Sequence, residues 1–136
     1  MKTPRHVEKE LAAIVGRDNL IRDPELLELY AGDASKHRSL PALAVLPGDA
    51  QEAQRVVGVA AKNAIPMTPR GAGSGVVGGC VPARGGMVIS LTRMNRISAI
   101  DPENHLATVE PGLINNELKI AAAKFDLYYP PDPASF

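Results

Sequence analysis

Apolar positions repeat along this chain with two different periods. Val7, Leu11, Ile14 and Val15 recur at helical spacing, and Leu26, Leu27 and Tyr30 do so again. Thr3-Pro4 offers a cap and a first helical residue to the earlier stretch, Asp23-Pro24 offers the same to the later one, and Gly16 and Gly32 end them. Ala42 to Leu46 is a short apolar run between Pro41 and Pro47, which suits a buried strand. Asp49 opens a helix that ends near Asn63, with Ala53, Val56, Val57, Ala60 and Ala61 on its inner face. Ile65 to Pro69 is then extended. Strand, helix and strand of these lengths predict a parallel pair joined by a right-handed crossover. Met87 to Leu91 reads as a further strand. Ile97 to Ile100 and Leu106 to Val109 flank Asp101-Pro102-Glu103-Asn104, a hairpin with a four-residue turn. Asn115 or Asn116 caps a last helix that packs Leu118, Ile120, Ala121 and Ala122 and ends near Lys124, and Leu127-Tyr128-Tyr129 is extended.

One stretch obeys neither period. Pro69-Arg70-Gly71-Ala72-Gly73-Ser74-Gly75 runs on to Gly78-Gly79, placing five glycines among nine residues directly after an extended segment. Glycine at this density marks backbone that takes positive φ or is closely approached. Consecutive amides without side chains can converge on an anion. A Walker loop would need a lysine after its last glycine, and none follows. Gly73-Ser74-Gly75-Val76-Val77-Gly78 matches the dinucleotide fingerprint literally, but that fingerprint opens a helix. Here Gly79, Cys80, Val81, Pro82 and then Gly85-Gly86 follow, and a helix cannot run through them. The first acidic residue downstream is Asp101, too far on for the ribose partner. A long loop that wraps a pyrophosphate with no helix behind it remains, beside the plainer reading of a tight surface turn.

Composition narrows the choice. The 136 residues suffice for one small domain or part of a larger one. Lysine plus arginine balances aspartate plus glutamate at 15 each, and no basic block occurs, so nothing electrostatic argues for nucleic acid. With no tryptophan and few other aromatics, a stacking platform for single strands is also disfavoured. The single Cys80 forms no internal disulfide and reads as a small buried residue rather than a nucleophile. One cysteine and the scattered His6, His37 and His105, read as surface residues, supply no metal site. The charged first residues lack the apolar core of a signal peptide, and no apolar run approaches the ~20 residues that span a bilayer. The expected location is cytoplasmic, or peripheral at the inner membrane for the complete protein.

Four segments, in order, resemble a known family. Pro69 to Gly79 resembles the phosphate loop of the FAD-linked oxidases of the vanillyl-alcohol oxidase and p-cresol methylhydroxylase superfamily, nearest to the flavin subunits of glycolate oxidase and D-lactate dehydrogenase. Leu91-Thr92-Arg93-Met94-Asn95-Arg96-Ile97 resembles that family's strand entry, and Val109-Glu110-Pro111-Gly112 its Val-x-Pro-Gly turn. Tyr128-Tyr129-Pro130-Pro131-Asp132-Pro133-Ala134-Ser135 resembles its Tyr-x-Pro-Asp-Pro-x-Ser stretch. The resemblance covers roughly residue 20 to the end. It implies an α+β fold, the first lobe of a p-cresol methylhydroxylase-type FAD-binding domain, with a small partly parallel sheet and flanking helices. Residues 1–38 form an N-terminal helical segment and 39–136 the first lobe. The second lobe and the substrate domain of the family are expected beyond this chain, which reads as a truncated piece of a longer flavoprotein.

The same resemblance assigns site residues. Gly71, Ala72, Gly73, Ser74 and Gly75 offer amides to the FAD pyrophosphate, and Arg70 holds a phosphate or a loop carbonyl. Gly78 and Gly79 pass near the flavin ring, unless they are a plain turn before Pro82. Pro111 and Gly112 meet the adenosine end, although a strand-to-helix turn would look alike. Pro131, Asp132 and Ser135 line the cofactor, or belong to a proline-rich tail. Family members that attach FAD covalently carry histidine where Ser74 stands, so non-covalent FAD is implied. Asp33-Ala34-Ser35 resembles a recurrent family segment and is assigned no chemistry, and Arg93 and Arg96 are expected to pair with acids near the hairpin. The complete protein is expected to be an FAD-dependent oxidoreductase acting on a small 2-hydroxy acid, glycolate or D-lactate in type, with an electron-transfer partner subunit. No catalytic base is visible, so this chain alone is expected to be inactive and prone to self-association. A stand-alone nucleotide- or phosphate-binding module is the rival reading, and another oxidase or reductase of the same superfamily a third.

Overall fold

A computed structural model describes residues 3–131, so the tail from Asp132 to Phe136 lies outside the described residues. Helix α1, Arg5–Val15, buries Val7, Leu11 and Val15. Pro4 is its cap rather than its first residue: ψ is 141°, and its carbonyl accepts from the Val7 and Glu8 amides at 3.0 and 3.2 Å. Thr3 supplies no cap, and its buried hydroxyl has no hydrogen-bond partner. Gly16, at φ 84°, closes the helix as expected. A strand of two residues, β1 (Leu20–Ile21), comes next, too short to show a period in sequence. Helix α2, Pro24–Leu27, is capped by Asp23, whose carboxylate accepts from the Glu25 amide at 2.8 Å. It tightens into a 3-10 turn over Glu28–Tyr30. Leu27 is buried there, whereas Leu26 faces solvent against expectation.

Strands β2 (Leu43–Val45), β3 (Met67–Arg70) and β4 (Met87–Ser90) are mutually parallel, and α3 (Ala50–Lys62) connects β2 to β3. The strand order is β1-β2-β4-β3, with β1 antiparallel to β2. The strands on either side of α3 are therefore not neighbours, because β4 enters between them. The reason lies in the residues. Every position of β4 is buried, as a central parallel strand requires, while β3 carries Pro69, which cannot donate to a ladder and belongs at an edge. Alternation then divides the core. Leu43, Val45, Met87 and Ile89 pack under α1 and α3, while Ala44 and Val88 pack with Leu27 on the other face. On α3 the buried stripe is Val56, Val59 and Ala60; Val57 and Ala61 point outward.

Strands β5 (Ile97–Asp101) and β6 (Leu106–Val109) form a separate antiparallel hairpin with an irregular register between Ile97 and Ala99. Its turn lies one residue later than expected, because Asp101 ends the strand and accepts from the Asn104 amide and side chain at 3.1 and 2.8 Å. Helix α4, Asn115–Ala123, begins after Ile114 with neither asparagine as a cap, and it buries Leu118 and Ala122 but leaves Ile120 exposed. The expected α+β architecture, a small partly parallel sheet with flanking helices, is the one observed. Leu127 to Tyr129 lies outside any regular element.

Candidate functional site

The glycine loop leaves the carboxyl end of β3, where Arg70 pairs with Ser90 of β4 and its carbonyl accepts from the Leu91 amide at 2.8 Å. Loops at this end of parallel strands are where open α/β sheets bind ligands. Residues 71–79 are irregular, with no helix, so the dinucleotide fingerprint lacks the element that gives it meaning.

Arg70 is the root of the loop. Its Nη1 donates to the Gly32 carbonyl at 2.5 Å and to Cys80 Sγ at 3.3 Å, and its Nη2 donates to the Leu29 carbonyl at 3.1 Å. The guanidinium also lies 6.0 Å from the centroid of the Tyr30 ring. The carbonyls that Arg70 holds, those of Leu29 and Gly32, lie outside the glycine loop, so its partner is not the loop carbonyl expected of it. Gly73 sits against this guanidinium at φ 78°, and a Cβ there would run into it. Cys80 is half-buried and serves as an acceptor for Arg70.

None of the amides from Gly71 to Val77 donates to a protein acceptor among the described residues. A Cβ added at Gly71 or Gly79 would meet nothing within 4 Å, and neither glycine has positive φ. Packing and backbone strain therefore give no reason for glycine at these two positions. Ser74, Val76 and Val77 are exposed at the tip. The loop thus presents a run of amides without protein acceptors among the described residues, with open space at the Cβ positions of Gly71 and Gly79.

Its far arm is tied to Asp33-Ala34-Ser35, a segment expected to carry no chemistry. Ala34 donates its amide to the Gly75 carbonyl at 2.9 Å, and Asp33 Oδ2 accepts from the Gly78 amide at 2.9 Å. Asp33 Oδ1 accepts from the Ser35 amide at 2.8 Å. The local signal was present, since Asp-x-Ser is a common Asx turn, but the contact to Gly78 spans 45 residues and has no local signature. Hydrogen bonds from the Ser35 side chain and amide, with a smaller one from Gly78, hold the Asp33 carboxyl below the usual carboxylate range against an opposing desolvation effect. With the folded value depressed, the stabilisation is complete above the unfolded value and is lost as pH falls through the folded one. Acidification followed by 1H–15N NMR is expected to move the Ser35 and Gly78 amides together, with a midpoint below about 3.9, the ordinary aspartate value. A midpoint above that value would contradict the hydrogen-bonded carboxylate.

Pro111 and Gly112 lie close to the loop root. The Gly112 amide donates to the Met94 carbonyl at 2.8 Å, and a Cβ on Gly112 would run into the Leu91 carbonyl oxygen. Leu91 is in turn bonded to Arg70, so the turn and the loop share the carboxyl end of β3 and β4. Pro131 is exposed, and its carbonyl accepts from Asn115 Nδ2 at 3.2 Å, beside the start of α4. Asp132 and Ser135 lie outside the described residues. Arg96 pairs with Glu110 at 2.8 Å, as expected near the hairpin. Arg93 turns instead to the start of α3, donating to the Leu46 carbonyl at 2.7 Å and facing Glu52 at 3.7 Å. His6, His37 and His105 are exposed.

Fold and loop together define a small α+β lobe whose glycine loop opens no helix. Residues 41–136 match the FAD binding domain family, and the chain belongs to that family, in its p-cresol methylhydroxylase type. It is 33% identical over 132 residues to glycolate oxidase subunit GlcD of Bacillus subtilis, covering 96% of this chain and 28% of that protein. It is 38% identical over 133 residues to the D-lactate dehydrogenase of Anaerostipes hadrus, with the same two coverages, 96% and 28%. Among solved structures, alkyldihydroxyacetonephosphate synthase superimposes with a TM-score of 0.88 at 27% identity, over 99% of this chain and 30% of that one. p-Cresol methylhydroxylase with substrate bound superimposes with a TM-score of 0.78 at 25% identity, over 90% of this chain and 25% of that one. The chain thus spans 28% of the length of the two curated relatives.

Proposed function

We propose that this chain holds FAD non-covalently through the loop from Arg70 to Gly79, as part of an oxidoreductase that oxidises a small 2-hydroxy acid of the glycolate or D-lactate type. The observation that carries the cofactor site is the run of unpartnered amides from Gly71 to Val77 at the carboxyl end of β3. In this reading those amides take the pyrophosphate, Gly71 and Gly79 leave room for it, and the Pro111-Gly112 turn and Pro131 flank the cofactor. Family resemblance assigns Asp132 and Ser135 to the cofactor as well. The flavin, when bound, supplies the acceptor for the hydride of the substrate α-carbon. The residues of this chain bind and orient. An electron-accepting partner subunit and a cytoplasmic or membrane-peripheral location complete the proposal. The substrate class rests on the similarity to proteins named glycolate oxidase subunit GlcD and D-lactate dehydrogenase.

The overlay with alkyldihydroxyacetonephosphate synthase favours a second reading, the same cradle serving a different reaction. Mixing the oxidoreductase that contains this chain with glycolate, D-lactate and other 2-hydroxy acids separates the two. Bleaching of the flavin by a 2-hydroxy acid supports the first reading, and indifference to all of them overturns it.

Gly71→Ala tests the cradle directly. With open space at its Cβ, the substitution is expected to change stability by less than about 0.5 kcal/mol. FAD affinity is expected to fall about tenfold, because the methyl group stands where the cofactor approaches. Equal affinity for both proteins would remove Gly71 from the cradle.

A further inference from the structure

An aspartate beside a loop that binds an anion is electrostatically the wrong residue. Coulomb repulsion between the Asp33 carboxylate and a pyrophosphate works against binding, so the residue needs another reason to be there. Its geometry supplies one. Both carboxylate oxygens face backbone amides, Oδ1 the Ser35 amide at 2.8 Å and Oδ2 the Gly78 amide at 2.9 Å. The negative charge therefore rests on donors within the fold. Ala34, next in sequence, donates to the Gly75 carbonyl at 2.9 Å. A trans peptide points its carbonyl and its N–H in opposite directions, so this bond turns the Val76 amide away from the 33–35 segment. On the near arm, Arg70 ties the loop root to the Gly32 and Leu29 carbonyls and fills the space beside Gly73. Both arms of the loop are thus fixed to one short segment, residues 29–35, that precedes the sheet strand β2.

We infer that Asp33 is a positioning residue: it fixes the far arm of the glycine loop, opposite Arg70, so that the free amides stand ready for a pyrophosphate that Asp33 itself repels. This inference rests on the FAD-cradle reading for its ligand and on the ligand-free loop for its geometry. Each can be tested separately. Organising the loop in advance spares the ordering cost that binding would otherwise meet.

The test compares the 136-residue chain with its Asp33→Ala and Asp33→Asn variants by 1H–15N NMR, first without ligand and then with inorganic pyrophosphate and with FAD. Amides of β2 and β4 serve as the check that each variant is folded, and Asp33→Asn, which keeps one acceptor oxygen, provides a milder change. Without ligand, Asp33→Ala is expected to speed hydrogen exchange at Gly78 at least about tenfold and to draw the 71–77 amides toward random-coil shifts. Unchanged exchange and shifts would overturn the inference. With ligand, Asp33→Ala is expected to weaken binding about tenfold, with Asp33→Asn in between. A charge effect alone has the opposite sign: both variants would bind more tightly, and that result, or equal binding, would also overturn the inference. Failure of the wild-type chain to respond to FAD would count against the cradle reading instead, leaving the ligand-free comparison to decide the role of Asp33.

Discussion

Gly73→Asp is expected to abolish FAD binding by the glycine loop, weakening it at least about a hundredfold. Three features add. Gly73 has φ 78°, which a residue with a Cβ adopts only with strain. Its missing side chain leaves the space that the Arg70 guanidinium occupies, so any substituent displaces the group that ties the loop to Gly32 and Leu29. On the proposed function, the new carboxylate would also sit among the amides that take the pyrophosphate. The sheet is expected to survive, because residues 71–79 contribute nothing to the two buried clusters on its faces. The measurement is a fluorescence titration of FAD quenching against wild type, with a urea melt as the folding check. A folded variant that binds FAD as tightly as wild type would remove the loop from the binding site.

The second large effect concerns stability. Gly112→Ala is expected to cost about 3 kcal/mol, a sizeable share of the 5–15 kcal/mol typical of a domain. Its Cβ would run into the Leu91 carbonyl oxygen and come within 2.9 Å of the Met94 carbonyl oxygen. Both are backbone atoms, and the Leu91 amide is already bonded to Arg70, so neither yields without moving the end of β4. Gly79→Ala, with nothing near its Cβ, is the matched control and is expected to be neutral. Urea unfolding of the two variants makes the comparison. A loss below about 0.5 kcal/mol for Gly112→Ala would show that the turn is not held against β4.

Much of this architecture was legible before any coordinates. The stripe Val7, Leu11, Val15 gave α1, the proline-bounded apolar run gave β2, and Asp49 marked the start of α3. Glycine and proline after Gly78 excluded a helix at the loop, and none is present. What escaped depended on neighbours distant in sequence. β1 has two residues and exists because β2 is there to pair with it. The insertion of β4 between β2 and β3 was hinted at by Pro69, but a periodicity argument does not read strand order. On α3, the run Val56-Val57-Gly58-Val59-Ala60-Ala61 offers overlapping apolar stripes, and packing under α1 selected the one through Val59. Arg93 was expected near the hairpin on sequence proximity, yet Leu46 and Glu52 lie within its reach. Asp33 is the largest omission. Its Asx turn was visible locally, while its bond to Gly78 could be seen only once both ends of the loop were in place.

We propose that the amides from Gly71 to Val77 take the pyrophosphate of FAD. A 1H–15N NMR titration of the wild-type chain with FAD, repeated with inorganic pyrophosphate, decides this, because it detects weak binding and reports it residue by residue. The expected result is saturable shifts at Gly71 to Val77 with both ligands, with FAD alone extending them to Gly79 and the Gly112 turn. Shifts confined to other parts of the surface, or a glycine loop that stays silent at saturating FAD, would contradict it.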